Sequence, residues 1–374
     1  MKIVLTGGGS GGHFYPIIAV AEAINQIADT EKLVDLELFY FADTPYNARM
    51  LFENHITFKK INAGKLRLYV SIFNIFDIFK TGIGLLRATW TMYRLYPDVV
   101  FSKSGYPAFP VVFAAKLLHI PVVVHETDIA PGRVTAYTAK FAKYIAISWE
   151  DSAHYFESKK IAFIGNPVRK NLLRPLADGA HEFLGLEHGV PVILVTGGSQ
   201  GAQALNNVIL DALPELLKRY QIIHQTGPEN IEDAQQRSAY ILKNNPHAGR
   251  YTLFAHLDET AQRMAAGIAH LVISRPGGSI FEIAAWGLPS ILVPIDKSNG
   301  DHQRKNAYAY ARTGAAVVVE EKNATATIVT AEIDRIMQNT ILKEKMRIAA
   351  KNFAKPDAAR LIAQIVLQVA LKHE

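Results

Sequence analysis

Short apolar runs alternate with longer amphipathic segments along the whole chain. An uninterrupted apolar run of strand length is typical of a parallel sheet that is covered on both faces. The predicted strands cover residues 3–6, 36–41, 98–102, 122–125, 144–148, 192–196, 222–225, 271–274, 290–294 and 316–320. The predicted helices include residues 17–28, 109–118, 202–220 and 358–371. This alternation predicts a doubly wound α/β fold.

The chain contains two similar glycine-rich turns, and each directly follows an apolar strand. Residues 4–12 read Val-Leu-Thr-Gly-Gly-Gly-Ser-Gly-Gly, and residues 194–202 read Leu-Val-Thr-Gly-Gly-Ser-Gln-Gly-Ala. A strand, a glycine turn and a helix start form the phosphate-binding part of a Rossmann domain. The repetition predicts two Rossmann-like domains facing each other across a cleft. Their predicted boundaries are residues 1–168 and 169–355, with residues 356–374 packing back on the first domain.

The composition excludes several classes of site. The 374 residues include no cysteine, which rules out disulfides, thiolate nucleophiles and iron–sulfur clusters. A net charge of +6 suits phosphate ligands or an anionic membrane surface, and does not by itself indicate nucleic acid. We see no secretion signal and no uncharged apolar stretch of about 18 residues, so we expect a cytoplasmic protein without a transmembrane helix.

His13 directly follows the first glycine turn, at the expected start of a helix. The turn matches the G-x-G-x-x-G pattern and Asp43 closes the next strand, so a nicotinamide dehydrogenase has to be considered. A histidine beside the bare N–H groups of a helix N-terminus suits a substrate oxygen better than packing. Because its pKa normally lies near neutral pH, His13 is a candidate general base, and Glu126 at a strand end is its rival.

A further strand–turn–helix run occupies residues 274–282, which read Ser-Arg-Pro-Gly-Gly-Ser-Ile-Phe-Glu. The turn leads into a helix N-terminus, which favours negative charge. Glu282 lies one turn into this helix, where a carboxylate can accept both hydroxyls of a ribose. The run therefore predicts a diphosphate on the turn with a nucleoside beyond it. Residues 301–307 are dense in hydrogen-bond formers of both kinds, as sugar hydroxyls require.

Residues 65–94 combine five basic residues and several aromatic residues with a single acid, Asp77. Basic and aromatic residues mixed at helical spacing predict an interfacial helix on anionic lipid, with an ordinary buried helix as the alternative. The predicted membrane contacts are Tyr69, Phe73, Phe76, Phe79, Arg87, Trp90 and Arg94.

Together these motifs resemble the MurG family of bacterial glycosyltransferases. The resemblance runs through residues 7–16, 104–106, 125–126, 165–169, 197–202, 282–285, 287–289, 301–303, 306–307 and 356–358. It implies a GT-B fold, with the acceptor on the first domain and the UDP-sugar mostly on the second, and it implies no metal, no cofactor and no nucleic-acid partner. The implied reaction is the inverting transfer of N-acetylglucosamine from UDP-N-acetylglucosamine to undecaprenyl-diphosphate-muramyl-pentapeptide (lipid I), giving lipid II. The implied location is peripheral, on the cytoplasmic face of the plasma membrane.

The resemblance also implies particular site residues. The donor-binding residues are predicted to be Ser10, Gly11, Gly12, Asp128, Arg169, Ser199, Gln200, Phe254, Ala255, Gly277, Gly278, Ser279, Glu282 and Gln303. The acceptor-binding residues are predicted to be His13, Tyr106 and Glu126, and the catalytic candidates are His13 and Glu126. The chain departs from the family at Thr127-Asp128, where members often have Gln-Asn.

Several alternative functions remain open at this point. A UDP-N-acetylglucosamine 2-epimerase of the same fold shares the donor site but needs no surface for a lipid acceptor, so residues 65–94 disfavour it. Another glycolipid-forming transferase differs only in its acceptor. If the protein were a nicotinamide dehydrogenase, we would expect one cofactor-binding turn and no sugar-binding site around Glu282 and Gln303. A non-catalytic nucleotide-binding module is disfavoured by the polar groups in both halves.

Overall fold

The computed structural model describes residues 1–64, 73–198, 201–296 and 299–372. These described residues form two compact units. The first unit is Met1–Arg169 together with the C-terminal segment that begins at Lys355, and the second unit is Lys170–Ala354. Each unit contains one parallel sheet.

The first unit has a sheet of seven strands in the order β3-β2-β1-β4-β5-β6-β7. The strands are β1 Lys2–Thr6, β2 Glu37–Ala42, β3 Ile56–Lys60, β4 Val99–Ser102, β5 Val122–Glu126, β6 Tyr144–Ile147 and β7 Ile161–Phe163. The helices are α1 Gly11–Glu31, α2 Ala48–Glu53, α3 Phe73–Leu95, α4 Phe109–Leu117 and α5 Arg133–Ala139.

The second unit has a sheet of six strands in the order β10-β9-β8-β11-β12-β13. The strands are β8 Val192–Thr196, β9 Gln221–Gln225, β10 Tyr251–Phe254, β11 Ala269–Ser274, β12 Ser290–Leu292 and β13 Ala316–Val318. The helices are α6 Ala180–Leu184, α7 Gln203–Leu216, α8 Ile231–Ile241, α9 Glu259–Ile268, α10 Ser279–Trp286, α11 His302–Arg312, α12 Ala326–Met337 and α13 Thr340–Phe353. The last helix, α14 Ala358–Leu371, belongs to the first unit.

Both sheets reverse their strand order beside their first strand. In the first unit, β1 pairs with β2 on one side and β4 on the other, and in the second unit β8 lies between β9 and β11. In open parallel sheets, ligands bind outside the carboxyl ends of the strands at such a switch point. The topology therefore singles out two pairs of loops: those after β1 and β4, and those after β8 and β11.

The sheet of the first unit is covered by helices on both faces. On one face Leu5 shares a core with Ile17 of α1 and Ile362 of α14. On the opposite face Val4 shares a core with Met92 of α3. The second unit is built in the same way, with α7 and α12 on one face and α9 and α10 on the other. Burial of both faces explains why the central strands are continuously apolar.

The prediction of two doubly wound parallel sheets is confirmed, with two differences in detail. Helix α1 begins at Gly11 rather than at residue 17, because the last glycines of the turn already have helical backbone. Strands β3, β7 and β10 were not predicted. Each lies at an edge of its sheet and is only partly buried, so none carries the long apolar run that marks a central strand. Among the described residues, no helix has an apolar stretch long enough to span a bilayer.

Candidate active site

The switch point of the first unit is formed by two loops in direct contact. The backbone N–H of Lys103, just after β4, donates to the carbonyl of Thr6 at the end of β1, at 2.8 Å. Further along, Gly105 has a φ of 82°, and a Cβ there would lie 2.7 Å from the carbonyl oxygen of Gly8. Only glycine combines this backbone conformation with so close an approach. The glycines in the two loops therefore let the backbones pack together.

His13 lies in the first turn of α1, beside this pair of loops. Its Nδ1 is 2.9 Å from Oγ of Ser10, which fixes the orientation of the ring. Burial lowers the pKa of His13 to about 4, and the positive charge of Lys103 lowers it as well, whereas Asp128 raises it. The expectation of a pKa near neutral pH therefore does not hold in the folded protein. At physiological pH the imidazole is neutral, which is the form that can accept a proton.

Glu126 is the last residue of β5, and its carboxylate is buried. Oε1 accepts a hydrogen bond from the N–H of Asp128 at 3.0 Å, and Oε2 accepts one from the N–H of Gly132 at 3.1 Å. Burial raises the pKa of Glu126, and the neighbouring charge of Asp128 raises it further. Both oxygens therefore hold the loop that leads into α5.

Tyr106 follows the second loop, in a short 3-10 turn. Its hydroxyl donates to Oδ2 of Asp43 at 3.0 Å, and Asp43 directly follows β2. Burial, reinforced by Asp43, raises the pKa of Tyr106 to about 12, so its hydroxyl keeps its proton at any working pH. Tyr106 and His13 are thus held at the same switch point by different loops, as two groups that act on one bound molecule would be.

Sequence reasoning missed Lys103, which is only 1% exposed. Its Nζ donates to Oγ1 of Thr127, and Thr127 donates in turn to Oδ1 of Asn166 at 3.2 Å. Burial lowers the pKa of Lys103 to about 8, while the charges of Glu126 and Asp128 oppose this shift. The sequence feature that could have identified it is a lysine directly after the buried strand β4, because ligands bind outside the carboxyl ends of the strands in parallel sheets.

The switch point of the second unit is built around the turn between β11 and α10. Arg275 is buried and structural: its Nη1 donates to the carbonyl of Val293 at 2.8 Å, and its Nη2 pairs with Glu321. The hydroxyl of Ser279 donates to the carbonyl of Arg275 at 2.9 Å. A Cβ on Gly277 would meet no atom within 4 Å. Hydrogen bonds through Arg275 and Ser279 therefore fix the turn, and the space beside Gly277 is free of other protein atoms. Such a turn suits an anion at the N-terminus of α10.

Four further predicted donor residues of the second unit lie among the described residues: Glu282, Gln303, Phe254 and Ala255. Glu282 is in the first turn of α10, and Nε2 of Gln262 donates to its Oε2 at 3.1 Å. Gln303 lies at the start of α11 and accepts from the N–H of Ile295 at 3.0 Å. Phe254 is the last residue of β10 and Ala255 follows it, and their carbonyls accept from the loop after β9 at 3.0 and 3.1 Å. Ser199 and Gln200 lie outside the described residues.

Five predicted donor residues belong to the first unit. Ser10, Gly11 and Gly12 surround the start of α1, and Asp128 lies in the loop after β5. Arg169 is buried, with its guanidinium 4.6 Å from the centre of the Tyr15 ring. A contact between any of these residues and the donor stays a prediction.

Helix α3 exposes an apolar face, which the alternative of an ordinary buried helix does not predict. Ala88 and Met92 are buried, and the large apolar residues on the opposite face are between 60% and 76% exposed. This exposed apolar face consists of Phe79, Ile83, Leu86, Trp90 and Tyr93. Their spacing of three and four residues puts them on one side of the helix. Exposed basic side chains at a seven-residue spacing form a stripe beside it: Lys80, Arg87 and Arg94.

A groove of about 880 Å³ continues this apolar face. It runs between α3 and α4, and Trp90, Phe113 and Leu117 contribute to its lining. Apolar surface of this extent, bordered by charge, is typical of an interaction site. Of the other predicted membrane contacts, Tyr69 lies outside the described residues, as do the side chains of Phe73 and Phe76.

Comparison with known proteins gives matches in both units. Residues 3–147 match the glycosyltransferase family 28 N-terminal domain, and residues 192–362 match the glycosyltransferase family 28 C-terminal domain. The chain is 34% identical, over 331 residues, to the UDP-N-acetylglucosamine–N-acetylmuramyl-(pentapeptide) pyrophosphoryl-undecaprenol N-acetylglucosamine transferase of Treponema denticola. That match covers 85% of this chain and 83% of the relative.

Two solved structures extend the comparison. MurG of Acinetobacter baumannii is 25% identical with a TM-score of 0.72, covering 98% of this chain and 99% of that one. A UDP-GlcNAc 2-epimerase from Neisseria meningitidis has a TM-score of 0.70 at 16% identity, covering 98% of this chain and 100% of that one. At that identity the second likeness shows a shared GT-B fold and no more. With both family 28 domains and a relative matched over most of its length, the chain belongs to the MurG family of glycosyltransferases.

Proposed function

We propose that this protein transfers N-acetylglucosamine from UDP-N-acetylglucosamine to the muramyl 4-hydroxyl of undecaprenyl-diphosphate-muramyl-pentapeptide. The product is lipid II, a precursor of peptidoglycan. The observation that carries the proposal is the ring of His13, oriented by Ser10 at the first switch point, combined with an open glycine turn before the N-terminus of α10 at the second. The activity for which the Treponema denticola relative is named supports the identity of both substrates.

The donor binds mainly to the second unit in this proposal. The diphosphate lies on the backbone of Gly277 and Gly278, where the N-terminus of α10 stabilises negative charge. Glu282, one turn further along the helix, accepts the two ribose hydroxyls of the uridine. Gln262 supports this role because its amide already donates to one carboxylate oxygen of Glu282 and so orients the group.

The acceptor binds to the first unit, where His13 acts as the general base. The acceptor 4-hydroxyl attacks C1 of N-acetylglucosamine on the face opposite the leaving UDP, and His13 takes the hydroxyl proton. The new O–C1 bond forms as the bond between C1 and the β-phosphate oxygen breaks, so the configuration at C1 is inverted. UDP leaves with the extra negative charge, which the N-terminus of α10 stabilises.

The exposed face of α3 supports a lipid-linked acceptor over the epimerase alternative. A basic stripe beside an apolar face suits a surface of anionic phospholipid. We infer that α3 docks the protein peripherally on the cytoplasmic face of the plasma membrane, where the acceptor's lipid chain is anchored. An epimerase acting on a soluble nucleotide sugar has no use for such a face.

Incubation with UDP-N-acetylglucosamine and a short-chain lipid I analogue tests the proposal. We expect UDP and the disaccharide product to form in equal amounts, and only when the acceptor is present. Formation of the C2-epimeric nucleotide sugar without acceptor, or UDP release that ignores the acceptor, would contradict it.

A further inference from the structure

Gln225, the last residue of β9, is a buried amide that is hydrogen-bonded on both sides. Its Nε2 donates to Oγ1 of Thr196 at 3.3 Å and to the carbonyl of Gly198 at 3.2 Å. Its Oε1 accepts from the N–H of Leu257 at 2.9 Å. One side chain therefore joins the end of β9 to the loops after β8 and β10, at the carboxyl end of the sheet of the second unit.

The loop after β8 is the second of the two similar glycine turns. The carbonyl of Gly198 also accepts from the N–H of Gly201 at 3.1 Å, and the N–H of Gly198 donates to Oγ1 of Thr196 at 3.3 Å. Gly198 and Gly201 have φ values of 88° and 77°, and a Cβ on Gly201 would overlap the carbonyl of Thr226. The described part of the turn is thus a close-packed backbone that only glycine can form, with Gln225 fixing one of its carbonyls.

This turn starts beside the turn that precedes α10. Strands β8 and β11 are parallel neighbours, and Thr196 pairs with Ser274 at their carboxyl ends. Helix α7 follows the turn, and its N-cap, Ala202, makes no side-chain hydrogen bond to the first helical turn. A helix start of this kind suits an anion. The two turns therefore lie side by side at the second switch point, where the proposed function puts the diphosphate of the donor.

We propose that Gln225 is a positioning residue for donor binding, whose amide holds the glycine turn after β8 in the conformation that receives the diphosphate of a nucleotide sugar. The inference rests on the proposed function, because it takes the donor to bind at the second switch point. Gln225 acts through the turn, since both hydrogens of its amide nitrogen are donated within the protein. A turn that is ordered before the ligand arrives loses little conformational entropy on binding, which raises affinity.

The opposite end of β9 provides a matched control. Gln221, the first residue of β9, is also buried. Its Oε1 accepts from the N–H of Glu187 at 2.7 Å, and its Nε2 donates to the carbonyls of Glu187 and Val190 at 2.8 and 3.0 Å. Gln221→Leu and Gln225→Leu therefore remove the same kinds of hydrogen bond from the two ends of one strand, and only Gln225 lies at the end where ligands bind.

Thermal unfolding, calorimetry with UDP and steady-state kinetics compare the two variants. We expect both to unfold at a lower temperature than the parent, and only Gln225→Leu to bind UDP more weakly, by about tenfold. In Gln225→Leu the KM for UDP-N-acetylglucosamine should rise by a similar factor, with kcat at saturating donor within a few-fold of the parent value. Parent UDP affinity in folded Gln225→Leu, or an equal loss of affinity in both variants, would overturn the inference.

Thr196→Val decides the inference if Gln225→Leu does not fold. It removes the hydroxyl that accepts from Gln225 and from the N–H of Gly198, and it keeps the branched shape of the side chain. UDP binding should weaken severalfold, and unchanged affinity would overturn the inference. A parent enzyme that does not bind UDP would contradict the proposed function itself, so the two failures are distinguishable.

Discussion

The switch points of the two units have the same topology and different chemistry. Each lies where the strand order reverses beside the first strand of a parallel sheet. In the first unit, four titratable side chains are buried or half-buried around the glycine turn: His13, Lys103, Glu126 and Asp128. In the second unit, the turn is held by Arg275 and is otherwise backbone, hydroxyl and amide, with Glu282 one turn along the helix.

This difference indicates how one fold could serve the two purposes proposed above within a chain. The parallel sheet fixes where a ligand binds, because both switch points present helix N-termini and glycine backbone. The side chains decide what happens there. A cluster in which His13, Lys103 and Glu126 have shifted pKa values suits proton transfer, whereas an open turn with one carboxylate suits recognition of a nucleotide. We therefore expect mutations at the first switch point to affect rate, and mutations at the second to affect binding.

The largest expected effect is that of His13→Ala. Loss of a general base lowers turnover by about 10²–10⁴-fold, and the affinity for UDP should stay within a few-fold of the parent value because UDP is proposed to bind mainly to the other unit. Steady-state kinetics and calorimetry with UDP measure the two quantities. His154→Ala is the control: it removes an exposed imidazole of the same unit, so activity and UDP affinity should stay near those of the parent enzyme. Activity that survives His13→Ala would contradict the assignment of the base.

Glu282→Ala should produce the opposite pattern. Loss of a carboxylate that accepts from ribose hydroxyls is expected to weaken UDP binding by about 1.5–3 kcal/mol per hydrogen bond, with turnover at saturating donor largely retained. Calorimetry measures the affinity. Glu232→Ala, at an acidic residue in the first turn of α8, is a control for the loss of charge at a helix start in the same unit. Equal UDP affinity in parent and Glu282→Ala would remove Glu282 from the donor site.

Alanine substitutions at Gly105 and Gly277 distinguish the packed loop of the first unit from the open turn of the second. Gly105→Ala places a methyl group 2.7 Å from the Gly8 carbonyl oxygen at a positive φ, and should destabilise the protein by about 1–3 kcal/mol. Gly277→Ala meets no atom within 4 Å, so stability should change by less than about 0.5 kcal/mol while UDP binding weakens. Thermal unfolding and calorimetry compare the two. A destabilised Gly277→Ala protein, or one with parent UDP affinity, would show that the second turn is not an open phosphate site.

The smallest effect per residue is expected for membrane binding through the basic stripe beside the exposed apolar face of α3. Charge reversal at Arg87 and Arg94 should weaken binding to anionic vesicles by about 1 kcal/mol per residue, with UDP affinity unchanged. Activity should fall on vesicle-embedded acceptor and persist on a short-chain soluble acceptor. The control is Lys243→Glu/Lys322→Glu, which makes the same charge change at exposed positions of the second unit. Equal co-sedimentation of the two double variants would argue against membrane docking through α3.

The sequence predicted the central strands and the glycine turns that follow β1, β8 and β11. These features depend on local patterns: continuous apolar runs for strands buried on both faces, and glycines where backbones approach closely. It did not predict β3, β7 or β10, because a half-exposed edge strand lacks that pattern. It also missed Lys103 and assigned His13 its ordinary pKa. Both depend on burial and on charges that come together only when β1, β4 and β5 align.

We expect the first switch point to determine the rate of transfer and the second to determine donor binding. Single-turnover transfer at saturating UDP-N-acetylglucosamine tests this division most directly. With enough donor to fill the weakened site, Glu282→Ala should approach the single-turnover rate of the parent enzyme, whereas His13→Ala should stay slower by about 10²–10⁴-fold at every donor concentration. If excess donor restored the rate of His13→Ala, or failed to restore that of Glu282→Ala, the division of roles between the two units would be wrong.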